Sequence, residues 1–232
     1  MGSYQTTAVI EKLNSLTSSI VQVILGPKQF IPYEAGQYLK ILRKGDEVSY
    51  SIANAPIENG KYELHIRQNP SNPASSTFMI ELEKSNMISL ELPFGDCSLS
   101  QLDRDKPILL IAGGTGFAPI KAMIEQLMLL GHTGNIVLIR GIRSQDDLYM
   151  DSLTLFWHKT MHNFHCYTYV SESKHTLAKK IIENHLHHTF NWQTVLAGPF
   201  DMVYSIRDAL VNEGVSVQNL FSDAFSFEIK SV

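Results

Sequence analysis

Residues 107–131 combine an apolar run, a glycine-rich turn and an amphipathic segment, and no other part of the sequence constrains the fold as strongly. The run PILLIA has no polar side chain, so it predicts a strand that is buried on both faces of a sheet. After the turn GGTG, apolar residues recur at helical spacing, at Ile120, Ile124, Leu127 and Leu130. Pro119 suits the first turn of a helix and Gly131 suits its end. We therefore predict a helix that begins near Pro119, directly after a buried strand.

The same alternation of apolar runs and helical segments continues towards the C terminus. The later runs are NIVLIRG, HCYTYV and QTVLAG. Buried strands separated by helices are typical of a parallel sheet that is covered on both faces. We predict a doubly wound α/β domain over residues 104–232, with the boundary between Leu102 and Lys106.

Residues 1–103 have a different pattern, with short β-type runs separated by turn-rich pieces. The runs are SSIVQVIL, QYLKIL, VSYSIA, KYELHIR and MISLELP. Such spacing predicts a small antiparallel β-barrel. One segment, SSTFMIELEK, has a helical pattern with Ser75 or Ser76 as its N-cap.

The run KYELHIR alternates strictly between apolar and polar residues. Tyr62, Leu64 and Ile66 share one face, which predicts that they lie in the barrel core. Lys61, Glu63, His65 and Arg67 share the other face, which we expect to be available for contacts outside the barrel.

Composition excludes several classes of function. The 232 residues include 19 basic and 23 acidic side chains, for a formal net charge of -4. This balance favours neither nucleic acid nor anionic lipid as a partner. We find no run of about 18 apolar residues that could cross a membrane and no signal segment at the start, so we expect a cytoplasmic protein that binds small molecules or proteins.

The chain has two cysteines, Cys97 and Cys166, and no CxxC motif. They cannot build an iron-sulfur cluster, so redox chemistry would require a bound organic cofactor. His185, His187 and His188 form the tract ENHLHH, which we interpret as a solvated helix end rather than a metal site, because no neighbouring ligands complete a tetrahedral set.

Two glycine-containing turns could bind a dinucleotide or could be ordinary strand-to-helix turns. Gly113–Gly116 lie between a predicted buried strand and a helix, where free backbone N–H groups and the helix dipole favour a pyrophosphate. The segment AGPFDM, at 197–202, repeats the succession of strand, turn and helix start. Arg140 or Arg143, after the second apolar run, could accept a 2′-phosphate or could pair with neighbouring aspartates, so the choice between NADH and NADPH stays open.

The order of these segments resembles the ferredoxin-NADP reductase superfamily over nearly the whole chain, and most closely the short bacterial NAD(P)H-flavin reductases. The segments that carry the resemblance are AGQYLKI, SYSIAN, YELHIR, LPFGD, IAGGTGFAPI, GIRSQDDLY, AGPFDM and the terminal FSDAFSFE. The resemblance implies a flavin-binding barrel followed by an NAD(P)-binding α/β domain.

The resemblance also implies roles for barrel residues. Tyr50 and Ser51 match the motif in which an aromatic ring packs beside the flavin and a hydroxyl bonds near N5, so Ser51 is the implied catalytic residue and Ile52 follows in the same strand. His65, Ile66 and Arg67 match the strand beside the isoalloxazine and the ribityl chain. Ser76 and Thr77 match the helix start that receives the flavin phosphate.

In the α/β half, the resemblance implies binding of the nicotinamide nucleotide. Gly114, Thr115 and Gly116 match the loop at its phosphates. Gly198, Pro199 and Met202 match the second loop, which frames the nicotinamide, and Arg143 remains the candidate for a 2′-phosphate. No metal is implied.

One departure from the family pattern concerns the flavin phosphate. Val48 stands where the family commonly has an arginine, which removes a charged hydrogen bond worth roughly 1.5–3 kcal/mol. Arg43, Lys44 or Arg67 could compensate, flavin could be a loosely held substrate, or flavin use could have been lost.

The function implied by the resemblance is hydride transfer from NADH or NADPH to FMN or FAD, with reduced flavin or electrons passed to an acceptor. Two alternatives stay open. One is the reductase component of a multicomponent oxygenase, which would hold FAD permanently and dock an acceptor protein. The other is a non-catalytic relative that has lost flavin.

Overall fold

Two β-sheets of different kinds follow one another along the chain. The protein is described here from a computed structural model, which defines residues 2–43, 45–57, 60–68, 82, 87–171 and 173–227. Apart from Leu82, the predicted helix in SSTFMIELEK and the phosphate candidates Ser76 and Thr77 lie outside these residues. Within the described ranges, no helix has the length and apolar character needed to cross a membrane.

The first sheet has six antiparallel strands in the spatial order β4-β3-β6-β1-β2-β5. The strands are β1 (Tyr4–Ser15), β2 (Ile20–Pro27), β3 (Tyr38–Arg43), β4 (Asp46–Ser51), β5 (Tyr62–Arg67) and β6 (Ile88–Phe94). A bridge between Ile52 and Leu64 joins the two edge strands, and the N–H of Ala53 donates to the carbonyl of Glu63 at 2.7 Å. The predicted antiparallel barrel is confirmed.

Strand β1 was not predicted from the sequence. Ala8 is its only fully buried residue, and its other side chains are exposed or half-buried. The strand therefore has little apolar alternation, and its pairing with β2 and β6 holds it in the barrel.

The second sheet has five parallel strands in the order β11-β10-β7-β8-β9. The strands are β7 (Ile108–Gly113), β8 (Ile136–Ile142), β9 (Phe164–Val170), β10 (Gln193–Ala197) and β11 (Leu220–Phe221). The helices are α1 (Phe117–Leu129), α2 (Asp151–Thr160), α3 (Lys174–Ile181), α4 (His187–Thr189) and α5 (Phe200–Asn212), with a π-helical turn (Ile182–Leu186) between α3 and α4. The predicted parallel α/β architecture is confirmed.

Strand β7 is buried on both faces, as its apolar run predicts. Ile108, Leu110 and Ala112 pack in the cluster that contains α1 and α2. Leu109 and Ile111 pack in the cluster that contains α3 and α5 on the opposite face. Helices therefore cover both sides of the sheet.

Helix α1 lies where it was predicted, with Pro119 in its first turn and Gly131 after its end. It begins at Phe117, two residues before Pro119, because Gly114–Gly116 form a short 3-10 turn that leads directly into it. Gly131 has a φ of +63° and follows the end of the helix, as predicted. Leu130, the last residue of the apolar spacing, is 47% exposed and lies outside the core.

All five strands are parallel, but the side on which successive strands are added to the sheet changes between β7 and β10. From β7 the chain proceeds to β8 and β9 on one side, and it returns to place β10 and β11 on the other. Ligands of open α/β sheets bind in the crevice at such a switch point, outside the carboxyl ends of the strands. Both glycine-containing turns predicted from the sequence lie at this crevice.

The central position of β7 gives a stability prediction. Leu110 is fully buried, so Leu110→Ala removes packing from both the strand and α1 and should lower the free energy of unfolding by roughly 2–5 kcal/mol. Urea unfolding measures this change. The matched control is Leu129→Ala, which alters a side chain that is 63% exposed and should change stability by less than about 0.5 kcal/mol. Equal losses in the two variants would contradict the described core.

Candidate active site

A cleft of about 1020 Å³ lies between the barrel and the carboxyl ends of the parallel strands. Most of the candidate residues predicted from the sequence line it: Tyr50, Ser51, His65, Arg67, Gly114, Thr115, Gly116, Arg143, Gly198, Pro199 and Met202. Two others, Ile52 and Ile66, lie in the barrel core behind it, where they are 0% and 2% exposed. The cleft thus brings together side chains and turns that are far apart in the sequence.

The two glycine-containing turns pack against each other so closely that side chains would not fit between them. A Cβ atom on Gly116 would lie 2.2 Å from the carbonyl oxygen of Ala197, and one on Gly113 would lie 2.3 Å from the sulfur of Met202. Gly114 has a φ of +54°, and the nearest atom to its Cβ position is Nη2 of Arg67, at 3.4 Å. The backbone of Gly114 therefore lies at the cleft in a conformation that favours glycine, with the Arg67 guanidinium beside it.

On the barrel side, Tyr50 and Ser51 line the cleft at the end of β4. Burial raises the pKa of Tyr50 to about 12, so its phenol is protonated at neutral pH. The Ser51 hydroxyl forms no hydrogen bond within the described part of the chain. A hydroxyl can both donate and accept, so Ser51 presents an adaptable polar group to the cleft.

A buried polar chain lies behind this wall of the cleft. Glu63 accepts a hydrogen bond from Nε2 of His65 at 2.8 Å, and Nδ1 of His65 lies 3.0 Å from the Tyr149 hydroxyl. Because a carboxylate only accepts, the neutral His65 ring carries its proton on Nε2, and Tyr149 donates to Nδ1. Burial lowers the pKa of His65 more than the carboxylate raises it, which keeps the ring neutral.

Glu63 remains charged in this setting. Burial alone would raise its pKa, but the hydrogen bond from His65 and the charge of Lys121 lower it to about 2. The Lys121 ammonium lies 3.0 Å from the second carboxylate oxygen of Glu63. The pair joins strand β5 of the barrel to helix α1 of the α/β domain.

This pair corrects one expectation from the sequence. The face of β5 that carries Glu63 and His65 was expected to be available, yet these residues are 8% and 3% exposed. The α/β domain covers them through Lys121 and Tyr149, which the sequence analysis did not select. A lysine inside the apolar segment FAPIKAMI was the one visible signal.

The arginines of the cleft have distinct environments. Arg67 pairs with Asp147 at 2.9 Å across the two domains. Arg140 is buried, donates to the carbonyl of Tyr149 at 2.6 Å and stacks on Phe117, so it is withdrawn from the cleft and its suggested phosphate role was wrong. Arg143 is exposed, lines the cleft and forms no ion pair among the described residues.

The cations suggested as replacements for an arginine at position 48 have other partners or lie outside the described residues. Val48 is half-buried on β4, and the nearby Arg43 lies 3.9 Å from Asp46. The guanidinium of Arg67 is paired with Asp147, and Lys44 lies outside the described residues.

Asp223, near the C terminus, also lines the cleft. Its carboxylate accepts the N–H of Cys97 at 2.9 Å, which ties the C-terminal segment to the barrel. Burial raises the pKa of Asp223 to about 6. Burial also raises the pKa of the Cys97 thiol, which keeps this thiol protonated at neutral pH.

The histidine tract differs in part from its prediction. His187 and His188 are exposed, but His185 is buried in the π-helical turn, and its Nε2 lies 2.8 Å from the Tyr169 hydroxyl. The described residues contain no group of three or more side chains arranged to hold a metal ion.

Comparisons with known proteins agree with this architecture. Residues 110–208 match the family of the oxidoreductase NAD-binding domain. A ferredoxin-NADP+ reductase from Plasmodium falciparum superposes with a TM-score of 0.81 at 16% identity, and covers 94% of this chain and 95% of its own. The fold of the chain is therefore similar to that of a ferredoxin-NADP+ reductase.

Two curated relatives differ in how much of their length this chain covers. Reductase component 1 of the terephthalate 1,2-dioxygenase of Comamonas is 33% identical over 202 residues, which are 84% of this chain and 60% of the relative. The NAD(P)H-flavin reductase of Vibrio harveyi is 26% identical over 231 residues, which are 94% of this chain and 97% of the relative. The chain thus spans about 60% of the dioxygenase reductase and nearly all of the flavin reductase.

The ionised state of Glu63 predicts how stability depends on acid. Its pKa is about 2 in the folded protein against an ordinary value of 4.5, so the unfolded chain takes up the proton first. The free energy of unfolding should therefore decrease as the pH falls from about 4.5 towards 2. Urea unfolding at several pH values measures this decrease, and Glu63→Gln should lack this component.

The matched control is Glu183→Gln, which removes an exposed carboxylate 3.6 Å from Lys179. Its stability should follow the same acid dependence as the unaltered protein. An unchanged dependence in Glu63→Gln would contradict the buried ion pair.

Proposed function

We propose that the protein is an NAD(P)H:flavin oxidoreductase that transfers hydride from a nicotinamide to flavin. The observation that carries the proposal is the meeting of Ser51 with the turns at Gly114–Gly116 and Gly198–Pro199 in one cleft. Bound flavin supplies N5 as the hydride acceptor. The protein's contribution is to bind and align two cofactors, and alignment of reacting groups removes a large part of a barrier.

The cleft suits this pair of cofactors in size and chemistry. Its volume of about 1020 Å³ lies at the upper end for small-molecule sites, as two nucleotides require. The glycine turn at Gly114, with the Arg67 guanidinium beside it, and the start of α1 favour a pyrophosphate. The Ser51 hydroxyl offers a polar contact on the opposite wall.

The residue roles implied by the superfamily are part of the proposal. On the barrel side, Tyr50 packs beside the flavin, Ser51 is the catalytic residue near N5, and His65 and Arg67 line the site while Ile52 and Ile66 support it from the core. Ser76 and Thr77, which lie outside the described residues, are proposed to receive the flavin phosphate.

On the α/β side, Gly114, Thr115 and Gly116 bind the nucleotide phosphates. Gly198, Pro199 and Met202 frame the nicotinamide. The barrel is proposed to end at residue 103, with the nucleotide-binding domain beginning at residue 104.

Val48 favours flavin as a dissociable substrate, because an apolar residue stands at a position where a cation would hold the phosphate. The similarity to the Vibrio harveyi flavin reductase over almost the whole of both chains supports the same reading. Reduced FMN or FAD would then leave for an acceptor, in a cytoplasmic setting.

The similarity to the terephthalate dioxygenase reductase supports a second candidate function. In that case the chain would retain FAD and pass electrons to an oxygenase component. A yellow protein that keeps its flavin through purification would favour this candidate over the flavin reductase.

The proposed function predicts that the purified protein, mixed anaerobically with excess FMN and NADH or NADPH, bleaches the flavin absorbance catalytically. Riboflavin and FAD, run in parallel, test the contribution of the flavin phosphate. Because Val48 removes a charged contact, riboflavin should react about as well as FMN. If no flavin bleaches with either nucleotide, the proposed function is wrong and the non-catalytic alternative is favoured.

In the same assay, Ser51→Ala should lower kcat roughly three- to tenfold, since a hydrogen bond contributes about 0.5–1.5 kcal/mol. Ser89→Ala, on the exposed face of β6 away from the cleft, is the matched control and should behave like the unaltered protein. If the unaltered protein, Ser51→Ala and Ser89→Ala are equally active, Ser51 has no catalytic role.

The position of Arg143 predicts that this side chain contributes to the binding of NADPH but not of NADH. Its exposed guanidinium lies at the carboxyl end of β8, where a 2′-phosphate of NADPH can reach it. Arg143→Ala should raise the KM for NADPH at least tenfold, on the scale of about 1.5–3 kcal/mol for a charged hydrogen bond, and leave the KM for NADH nearly unchanged.

Steady-state kinetics with both nucleotides check this expectation. Arg104→Ala, which alters an exposed arginine outside the cleft, is the control. Parallel changes for NADH and NADPH in Arg143→Ala would refute the 2′-phosphate contact.

A further inference from the structure

Lys121 is a buried lysine that reaches from helix α1 into the barrel. It is 4% exposed, and its ammonium group donates to the carbonyl of Ala53 at 3.1 Å and to Glu63 at 3.0 Å. Glu125, one helical turn further along, lies 2.8 Å from the same ammonium. Three acceptors therefore match the three protons of the group, and none is left unsatisfied.

Glu125 makes a second contact with the same barrel segment. Its other carboxylate oxygen accepts the N–H of Ala55 at 3.0 Å. Lys121 and Glu125 thus hold the backbone at Ala53 and Ala55 from one face of α1. We call these two side chains, with Glu63 and the backbone of Ala53 and Ala55, the interdomain clamp.

The clamp joins two segments that lead directly to opposite walls of the cleft. Ala53 follows Ser51 by two residues, so the barrel side of the clamp continues directly from the strand that carries the hydroxyl. Lys121 follows Gly116, the residue before α1, by five residues, so its other side continues from the phosphate turn. A short, hydrogen-bonded connection therefore joins the two walls that the proposed reaction must align.

Because its charges are buried, this connection holds helix α1 at a defined distance from the barrel. Loss of either partner would leave the other charge unpaired in an apolar surrounding, which is unfavourable in free energy. Both oxygens of Glu63 are occupied, one by Lys121 and the other by His65 and Gln22. The position of α1 relative to β5 is thereby fixed by several directional contacts rather than by apolar packing alone.

We infer that Lys121 and Glu125 are positioning residues for hydride transfer, which set the separation between Ser51 and the nucleotide turns. The inference rests on the proposed function. Neither side chain lines the cleft, so they act through the segments they hold. Their loss should slow the reaction between bound cofactors and leave the binding of each cofactor largely intact.

The test compares Lys121→Met with Lys121→Arg in anaerobic stopped-flow reduction of FMN. Lys121→Met should lower the rate of flavin reduction at saturating nucleotide at least tenfold, while the Kd of flavin and the KM of the nucleotide change less than threefold. Lys121→Arg, which keeps the charge and the donors, should recover most of the rate. Lys179→Met, which removes an exposed lysine of α3, is the matched control and should keep the full rate.

A second variant covers the case in which Lys121→Met does not fold. Glu125 is partly exposed, with 26% of its side chain accessible, so Glu125→Ala should be tolerated. It should lower the same rate at least threefold, and Glu125→Gln, which retains an acceptor for Ala55, should have a smaller effect. Full rates in folded variants, or a higher KM with an unchanged kcat, would overturn the inference.

Amide hydrogen exchange separates this inference from the proposed function. The clamp predicts faster exchange at the N–H of Ala55 in Glu125→Ala than in the unaltered protein, with or without cofactors. If the unaltered protein reduces no flavin but exchange accelerates as predicted, the proposed function fails and the clamp stands as a structural connection. Unchanged exchange would refute the clamp itself.

Discussion

The buried ion pair between Glu63 and Lys121 is the interaction on which the arrangement of the two domains depends. Each charge is removed from water, so each requires the other and a full set of hydrogen bonds. Glu63 comes from the barrel and Lys121 from α1, so the requirement is met only when the two domains are docked. The cleft exists because of this docking, since neither domain alone supplies both of its walls.

The periodicity of the sequence predicted most of the fold, for identifiable physical reasons. Strand β7 is apolar at every position because helices cover both faces of the parallel sheet. Strand β1 escaped prediction because only Ala8 is fully buried, and its place is fixed by pairing with neighbours distant in sequence. The exposed Leu130 shows the reverse case, in which helical spacing continued beyond the buried part of α1.

The candidate site was predictable where local backbone chemistry defines it. The turn at Gly114–Gly116 could be placed because a strand, glycines and a helix follow one another in the sequence. The roles of Lys121 and Glu125 could not, because their partners lie more than 50 residues away in the chain. Arg140 and Arg143 look equivalent in sequence. In the structure Arg140 lies within β8 and is buried in the core, whereas Arg143 follows the end of β8 and lines the cleft.

The two contacts made by α1 with the segment at Ala53 and Ala55 have a consequence for ligand exchange. Enzymes of two domains often admit ligands by bending at a hinge between the domains. Here helix α1 is attached to the opposite domain at several points along one face, and bending at this joint would expose the buried charges. Opening of the domains therefore carries an energetic cost that local motion of the side chains and loops around the cleft does not.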